Sequence, residues 1–179
     1  YSMSAAPDGD TLRITVKDLG DQSRRLGELT PGTPVVFEGP FGRITDRART
    51  HDRIALIGAG VGVTPLRALA EGLDYAPGDA ILLHRFRDRP LMREEFCELA
   101  GERGLELLWL PGRRRSDESW LGTHAGKASD LASLTFWGPD IADRDFYVCG
   151  PSVWTAQVLH TLSDAGLAPD QIHVETVSW

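Results

Sequence analysis

Two rhythms of apolar and polar residues divide the chain. In the first, single apolar residues alternate with polar ones: Leu12, Ile14 and Val16 stand between Thr11, Arg13, Thr15 and Lys17. That period of two is what a half-buried strand requires. Asp8-Gly9-Asp10 ahead of it is a turn signal, and together with residues 1–4 the stretch predicts a hairpin with a longer loop. Pro34-Val35-Val36-Phe37-Glu38 predicts a further strand, ended by Gly39-Pro40-Phe41-Gly42. Between them, residues 23–29 predict a short helix that the Ser23 hydroxyl would cap.

From about His51 the rhythm changes. Ile54-Ala55-Leu56-Ile57 is an unbroken apolar run, as expected of a strand covered on both faces. A glycine-rich turn follows, then a helix starting near Pro65, and the pattern repeats. Strands are expected at residues 80–83, 105–110, 146–148 and 172–175, and helices at 91–99 and 153–165. Strands alternating with helices predict an α/β fold, a doubly wound five-stranded parallel sheet with helices on both faces. The expected division is residues 1–47, β-rich and too short for a sealed barrel, and residues 48–179, a complete α/β domain.

Length and charge narrow the function classes. The 179 residues suit one domain, or one domain with part of a second. With 19 Lys and Arg against 26 Asp and Glu, the formal net charge is −7, which argues against general binding to nucleic-acid phosphates. No apolar run approaches the roughly 18 residues of a membrane helix. Two cysteines far apart make neither a disulfide framework nor a zinc-ligand set, so no metal is expected. The sequence begins at Tyr1 without signal-peptide character, and is expected to be a piece of a longer chain.

In an open α/β sheet, ligands bind at the carboxyl ends of the strands. After the first α/β strand comes Gly58-Ala59-Gly60-Val61-Gly62-Val63-Thr64-Pro65. Glycines let a backbone approach a phosphate, and free N–H groups at a helix start attract it. Val63 stands where a third glycine would complete G-x-G-x-x-G, so the loop alone is a weak signal, with a tight turn without a ligand as the minority alternative. The second strand runs into His84-Arg85-Phe86-Arg87-Asp88-Arg89, with no acidic residue at its end for ribose hydroxyls. The third is followed by Gly112-Arg113-Arg114-Arg115. Two basic clusters at adjacent strand ends suit an extra phosphate, and each alone also reads as a solvated loop. After the fourth strand stands Cys149-Gly150-Pro151-Ser152, where Cys149 is either a crevice residue or a small core residue. Cys97 suits the core reading and carries no expected role.

Four pieces in order, Tyr1-Ser2-Met3-Ser4, Gly39-Pro40-Phe41-Gly42, the glycine loop to Leu66, and Tyr147-Val148-Cys149-Gly150-Pro151, followed by Glu175 and a final Trp179, make the chain resemble the ferredoxin–NADP reductase superfamily, in particular the cytoplasmic ferric reductase and NADPH oxidase branch. The resemblance covers the whole chain. It implies an FAD-binding β-barrel, present here in part, joined to an NAD(P)-binding α/β domain. Of the flavin signature R-x-Y-S, Tyr1 and Ser2 are present; the tyrosine would pack on the isoalloxazine and the serine hydroxyl lie near N5. Ser4 belongs to the same piece. Gly20-Asp21-Gln22-Ser23 matches the G-x-x-S element for the flavin pyrophosphate, and Val16 and Lys17 the strand along the FAD.

The same resemblance assigns Gly58, Gly60, Val61, Gly62, Thr64 and Pro65 to the nicotinamide nucleotide loop. It puts Cys149, with Gly150 and Pro151, beside the nicotinamide, Glu175 on the last strand, and Trp179 over the flavin face. Ser2, Cys149 and Glu175, with Thr64, would line the space in which hydride passes from NADPH to FAD. Arg113, with Arg85 and Arg87, would take the 2′-phosphate of NADP. The electron acceptor would be a haem, an iron–sulfur protein or ferric iron. Localisation would be cytoplasmic, with a membrane domain ahead of Tyr1 left open. Two rivals stand beside this reading: a non-catalytic nucleotide-binding or interaction module, and an S-adenosylmethionine methyltransferase.

Overall fold

The computed structural model of the chain describes residues 1–39, 41–42 and 44–177; Pro40, Arg43, Ser178 and Trp179 lie outside the described residues. Five parallel strands form the sheet, in the order β3-β2-β1-β4-β5: β1 (Arg53–Ala59), β2 (Ala80–Arg85), β3 (Glu106–Leu110), β4 (Arg144–Pro151) and β5 (Ile172–Val177). This is the doubly wound arrangement expected from the alternation, with the chain reversing direction across the sheet at β1. That reversal opens a crevice at the strand ends.

Helices α2 (Val63–Gly72) and α3 (Arg93–Arg103) cover one face, where Ile54, Leu56, Leu82, Leu66, Phe96, Tyr147 and Cys149 are buried. Helices α4 (Asp130–Trp137) and α5 (Ser152–Asp164) cover the other, over Ala55, Ile57, Leu83, Val148, Trp120 and Trp154. Alternate residues of β1 feed opposite cores, which is why its sequence is apolar at every position rather than at every second one.

The expected boundaries shift at several places. The helix expected near Pro65 begins two residues earlier, which puts Pro65 in the first turn, where a missing N–H breaks no intrahelical bond. α3 runs on to Arg103 because Gly104, in the left-handed region at φ 70°, ends it. α4 was not expected at all. Ser129 caps it, its hydroxyl accepting from the Ala132 amide at 3.1 Å.

The amino-terminal residues differ more. Residues 1–4 and 11–17 do meet as a hairpin would: Met3 bridges Ile14 in antiparallel sense, and Ser4 N donates to Arg13 O at 2.7 Å. Beyond that bridge no ladder forms, and residues 34–38 are not a strand; Val35, Val36 and Phe37 are 65, 99 and 72% exposed. Strand propensity is realised only against a neighbouring strand, and these residues find none among the described ones. Residues Asp21–Gly27 of this region form an α-helix, α1, whose N-cap is Gly20. Ser23 lies inside its first turn, and its hydroxyl accepts from Leu19 N (2.8 Å) and donates to Gly20 O (2.9 Å). It folds the entry to the helix rather than capping it.

Alternating charges tie this region to the α/β domain. Arg13 contacts Glu95 of α3 at 2.6 Å, Glu95 meets Arg67 of α2 at 2.9 Å, and the Ala6 amide donates to Glu71 at 2.5 Å. Between the two regions, Thr50 N, Thr50 Oγ1 and His51 N all donate to the fully buried Asp145 carboxylate at 2.5–2.9 Å. Those bonds hold that carboxyl below the usual carboxylate range, although burial works the other way.

Candidate functional site

Strand register gathers one row of residues across the carboxyl ends. Gly58 is opposite His84 on one side and Cys149 on the other; His84 is opposite Trp109, and Cys149 opposite Glu175. Neighbours in register share a face of a pleated sheet. Trp109, His84, Gly58, Cys149 and Glu175 therefore project on the face that carries α2.

The glycine loop closes over this row. Gly60–Gly62 is one 3₁₀ turn that passes directly into α2, which has no side-chain cap. Gly60 is exposed with φ 55°, a conformation glycine adopts without strain, and a Cβ there would meet open space. At Gly62 the requirement is proximity: a Cβ would lie 2.6 Å from the Cys149 carbonyl carbon and 2.8 Å from Gly150 Cα. The loop after β1 is thus seated on the turn after β4, and an uncapped helix start faces the crevice between them. Backbone N–H groups at an uncapped helix start are of the kind that suits an anionic group. Thr64 is buried and its hydroxyl donates to Val61 O at 2.9 Å, so it shapes the loop from within, under the half-buried Val61. Pro65 is buried as well.

Cys149 is fully buried in the α2-side core. Burial, then the charge of Glu175, pushes its thiol up to about 12, so it stays protonated at working pH and does not act as a thiolate nucleophile. Gly150 carries the Trp154 ring against it and Pro151 is the N-cap of α5. The Glu175 carboxylate lies where a Cβ on Gly42 would be, so the turn of the amino-terminal region rests directly on β5. His84 is fully buried among Phe86, Phe96 and Trp109, with ring centroids 5.5–6.3 Å away, and both its nitrogens lack a hydrogen-bond partner among the described residues. Burial alone lowers its pKa to about 4.

The basic loops separate into structural and available arginines. Arg85 is buried under Gly122, and its guanidinium donates to Phe86 O and Leu110 O; burial, then the charge of Arg114, lowers its pKa. Arg114 donates to Ser116 O, Asp117 O and Ser119 O, and Arg115 is bound to Asp130. Arg87 and Arg113 are exposed, with no side-chain hydrogen bond or ion pair to the described residues, and their loops touch through Gly112 N donating to Arg87 O at 3.1 Å. Residues 113–115 pair with 121–123 as a two-stranded ribbon, which brings Thr123 and His124 to Gly112: a Cβ there would be 2.8 Å from Thr123 Oγ1 and 2.7 Å from His124 Nδ1. Thr123 and His124 carry little signal in the sequence: a hydroxyl and an imidazole about ten residues beyond Arg113.

The described residues assigned to the flavin belong to no strand of this sheet. Tyr1 is exposed, Ser2 and Val16 are half-buried, and Lys17 is exposed. Ser4 is fully buried, its hydroxyl occupied by Thr15 at 2.9 Å. Gly20 and Ser23 form the entry to α1, as described above. Trp179 lies outside the described residues. A recess of about 430 Å³ between Gly42, Thr45, Arg47 and Ala48 and residues 169–173 sits at the start of β5, away from the glycine loop.

Comparison with known proteins shows what these features resemble. No family model matches the chain. It is 29% identical to the stachydrine N-demethylase reductase subunit of Rhizobium meliloti (strain 1021), over 98% of this chain and 52% of that protein. It is 32% identical to the flavohemoprotein of Bacillus subtilis (strain 168), over 98% of this chain and 45% of that one. Among solved structures, the FAD/NAD-binding domain of nitric oxide dioxygenase from Vibrio cholerae O1 biovar El Tor superposes with a TM-score of 0.67, at 23% identity, over 99% of this chain and 76% of that chain. By relatives and by fold, the chain is similar to reductase modules of the ferredoxin–NADP reductase superfamily. It spans about half the length of the curated relatives it matches. Among the described residues, no helix is long and apolar enough to cross a membrane.

Proposed function

We propose that the chain carries the nicotinamide-nucleotide half, and part of the flavin half, of an NADPH-dependent flavin oxidoreductase. The observation that carries this reading is the seating of Gly62 on the Cys149–Gly150 turn, which makes the glycine loop and the Cys149–Glu175 pair a single site at the carboxyl ends of β1 and β4. When bound, the nicotinamide would supply a hydride, and FAD would take it up and release electrons singly.

The protein's contribution is placement. The turn at Gly60–Gly62 and the first amides of α2 hold the pyrophosphate. Cys149, protonated and close-packed, shapes the floor under the nicotinamide, and Glu175 fixes the edge toward the flavin side. Tyr1, Ser2, Val16 and Lys17 form the flavin side, on which Tyr1 offers an exposed ring for stacking. Arg113 and Arg87 take the 2′-phosphate, with Thr123 and His124 beside them. Each charge-assisted bond to phosphate contributes roughly 1.5–3 kcal/mol. Exposure of both arginines pulls the preference toward the lower end, about tenfold.

The acceptor is a haem or iron–sulfur centre in another domain or protein. The relatives named above, a flavohemoprotein and a demethylase reductase subunit, support an acceptor of that kind. The ferric reductase and NADPH oxidase branch, on the cytoplasmic face of a membrane protein, is a narrower form of the same reading. Titration of the chain with NADPH and NADH tests it: NADPH binds about tenfold tighter, and Arg113→Ala removes most of the difference while leaving NADH binding in place. Equal affinities for the two nucleotides would refute the 2′-phosphate assignment. Absence of binding by either would favour the interaction-module alternative.

A further inference from the structure

In the function proposed above, nucleotide choice rests on Arg113, whose side chain has no hydrogen bond or ion pair to the described residues, so what positions it acts through its backbone. Arg113 stands at the start of the ribbon of residues 113–115 and 121–123, held by Thr123 N to Arg113 O at 2.8 Å, Arg115 N to Leu121 O at 3.2 Å and the Arg114–Gly122 bridge. Such a short ribbon is marginal alone. Its far end is bound to one carboxylate. Asp130, the first residue of α4, accepts from Ser119 Oγ (2.6 Å) and Arg115 Nη2 (2.5 Å) on one oxygen and from Trp120 N (2.9 Å) on the other. Arg115 Nε also donates to Ser119 Oγ at 2.8 Å, Leu121 N donates to the same hydroxyl at 3.2 Å, and Arg115 Nη1 donates to Ala128 O at 2.5 Å. Both members of the ion pair are mostly buried, with side chains 23% and 13% exposed, so salt screens it little.

We infer that Asp130 is a positioning residue for nucleotide choice: through Arg115, Ser119 and the Trp120 amide it sets the ribbon that presents Arg113 to the 2′-phosphate. This rests on the reading of Arg113 given above. Asp130 itself is spent on the loop and makes no contact with the nucleotide. Its effect therefore appears only in the part of the affinity that the 2′-phosphate contributes.

AMP and adenosine 2′,5′-bisphosphate differ by that phosphate alone, and neither requires flavin. In the unaltered chain the bisphosphate binds about tenfold tighter than AMP. Asp130→Asn keeps the side-chain shape, removes the charge, and lowers that ratio by about threefold or more, with AMP affinity unchanged. In an Arg113→Ala background the ratio is already near one and Asp130→Asn does not move it further. Should Asp130→Asn fail to fold, Ser119→Ala, which removes one link of the same brace, lowers the ratio in the same direction. A ratio untouched by Asp130→Asn or Ser119→Ala, while Arg113→Ala still abolishes it, overturns the positioning role and leaves the nucleotide reading standing. A ratio of one in the unaltered chain overturns the nucleotide reading itself, and the inference with it.

Discussion

Replacing Gly62 with alanine tests the seat on which the site is built. A methyl at that position meets backbone on the other side: the Cys149 carbonyl carbon at 2.6 Å and Gly150 Cα at 2.8 Å, where ordinary contact begins at 3.4 Å. No rotamer relieves this, because neither obstacle is a side chain. The glycine loop or the Cys149–Gly150 turn has to retreat by roughly 1 Å, and overpacking of this kind costs about 1–3 kcal/mol of stability. The functional loss is larger than the stability loss suggests, since a displacement near 1 Å at a reacting centre costs on the order of a hundredfold in rate. Gly60→Ala is the control from the same turn: its Cβ meets open space, and its cost is the backbone strain of φ 55° alone. Melting curves and NADPH titrations of the two variants separate the effects. The expected outcome is a lower melting temperature for Gly62→Ala together with a weakening of NADPH binding greater than that of Gly60→Ala. Unchanged NADPH affinity in a folded Gly62→Ala protein would refute the claim that the two loops form one site.

Three further outcomes follow from the same geometry. His84 has a folded-state pKa of about 4 against an ordinary 6.5, so between those values the unfolded chain binds a proton that the folded one does not; stability is full above pH 6.5, falls by about 3 kcal/mol as pH drops toward 4, and His84→Leu removes that share of the fall in urea titrations at both pH values, whereas identical pH dependence in the two proteins would contradict it. Cys149 is buried and protonated while Cys97 is exposed, so a thiol-alkylating reagent at neutral pH modifies Cys97 alone in the folded chain, and Cys149→Ser slows flavin reduction without unfolding; labelling of both thiols at equal rates would contradict the burial. Exposure of Val35, Val36 and Phe37 predicts self-association and weak retention of FAD in gel filtration, with Val36→Glu shifting the chain toward monomer; a flavin-loaded monomer of the unaltered chain would contradict it.

The α/β half was legible in the sequence because each of its signals is local. The run from Ile54 to Ile57 is apolar at every position only because both faces of β1 are covered, and the glycine loop marks the end of that strand. What escaped depends on partners distant in sequence. The alternation at residues 11–17 and the branched and aromatic residues at 35–37 state a preference for strand, and preference without a neighbour leaves an isolated bridge and an exposed segment. α4 was missed because its apolar residues Leu131, Leu134, Phe136 and Trp137 lack a sustained stripe, with Phe136 facing solvent. Within Arg113-Arg114-Arg115, three identical letters perform different tasks: the first is available to a ligand, the second binds loop carbonyls, and the third is paired with Asp130. Only the fold distinguishes them, as it does for Arg85, which spends its charge beneath the loop that Arg87 and Arg113 decorate.

The proposed function, hydride delivery from NADPH to flavin, is tested most directly by mixing the chain with excess FAD and NADPH without oxygen and following the loss of the oxidised flavin absorption band. The expected result is bleaching faster than in the protein-free mixture, faster with NADPH than with NADH, and slowed by Gly62→Ala. Bleaching no faster than in the absence of the protein, with either nucleotide, would contradict it.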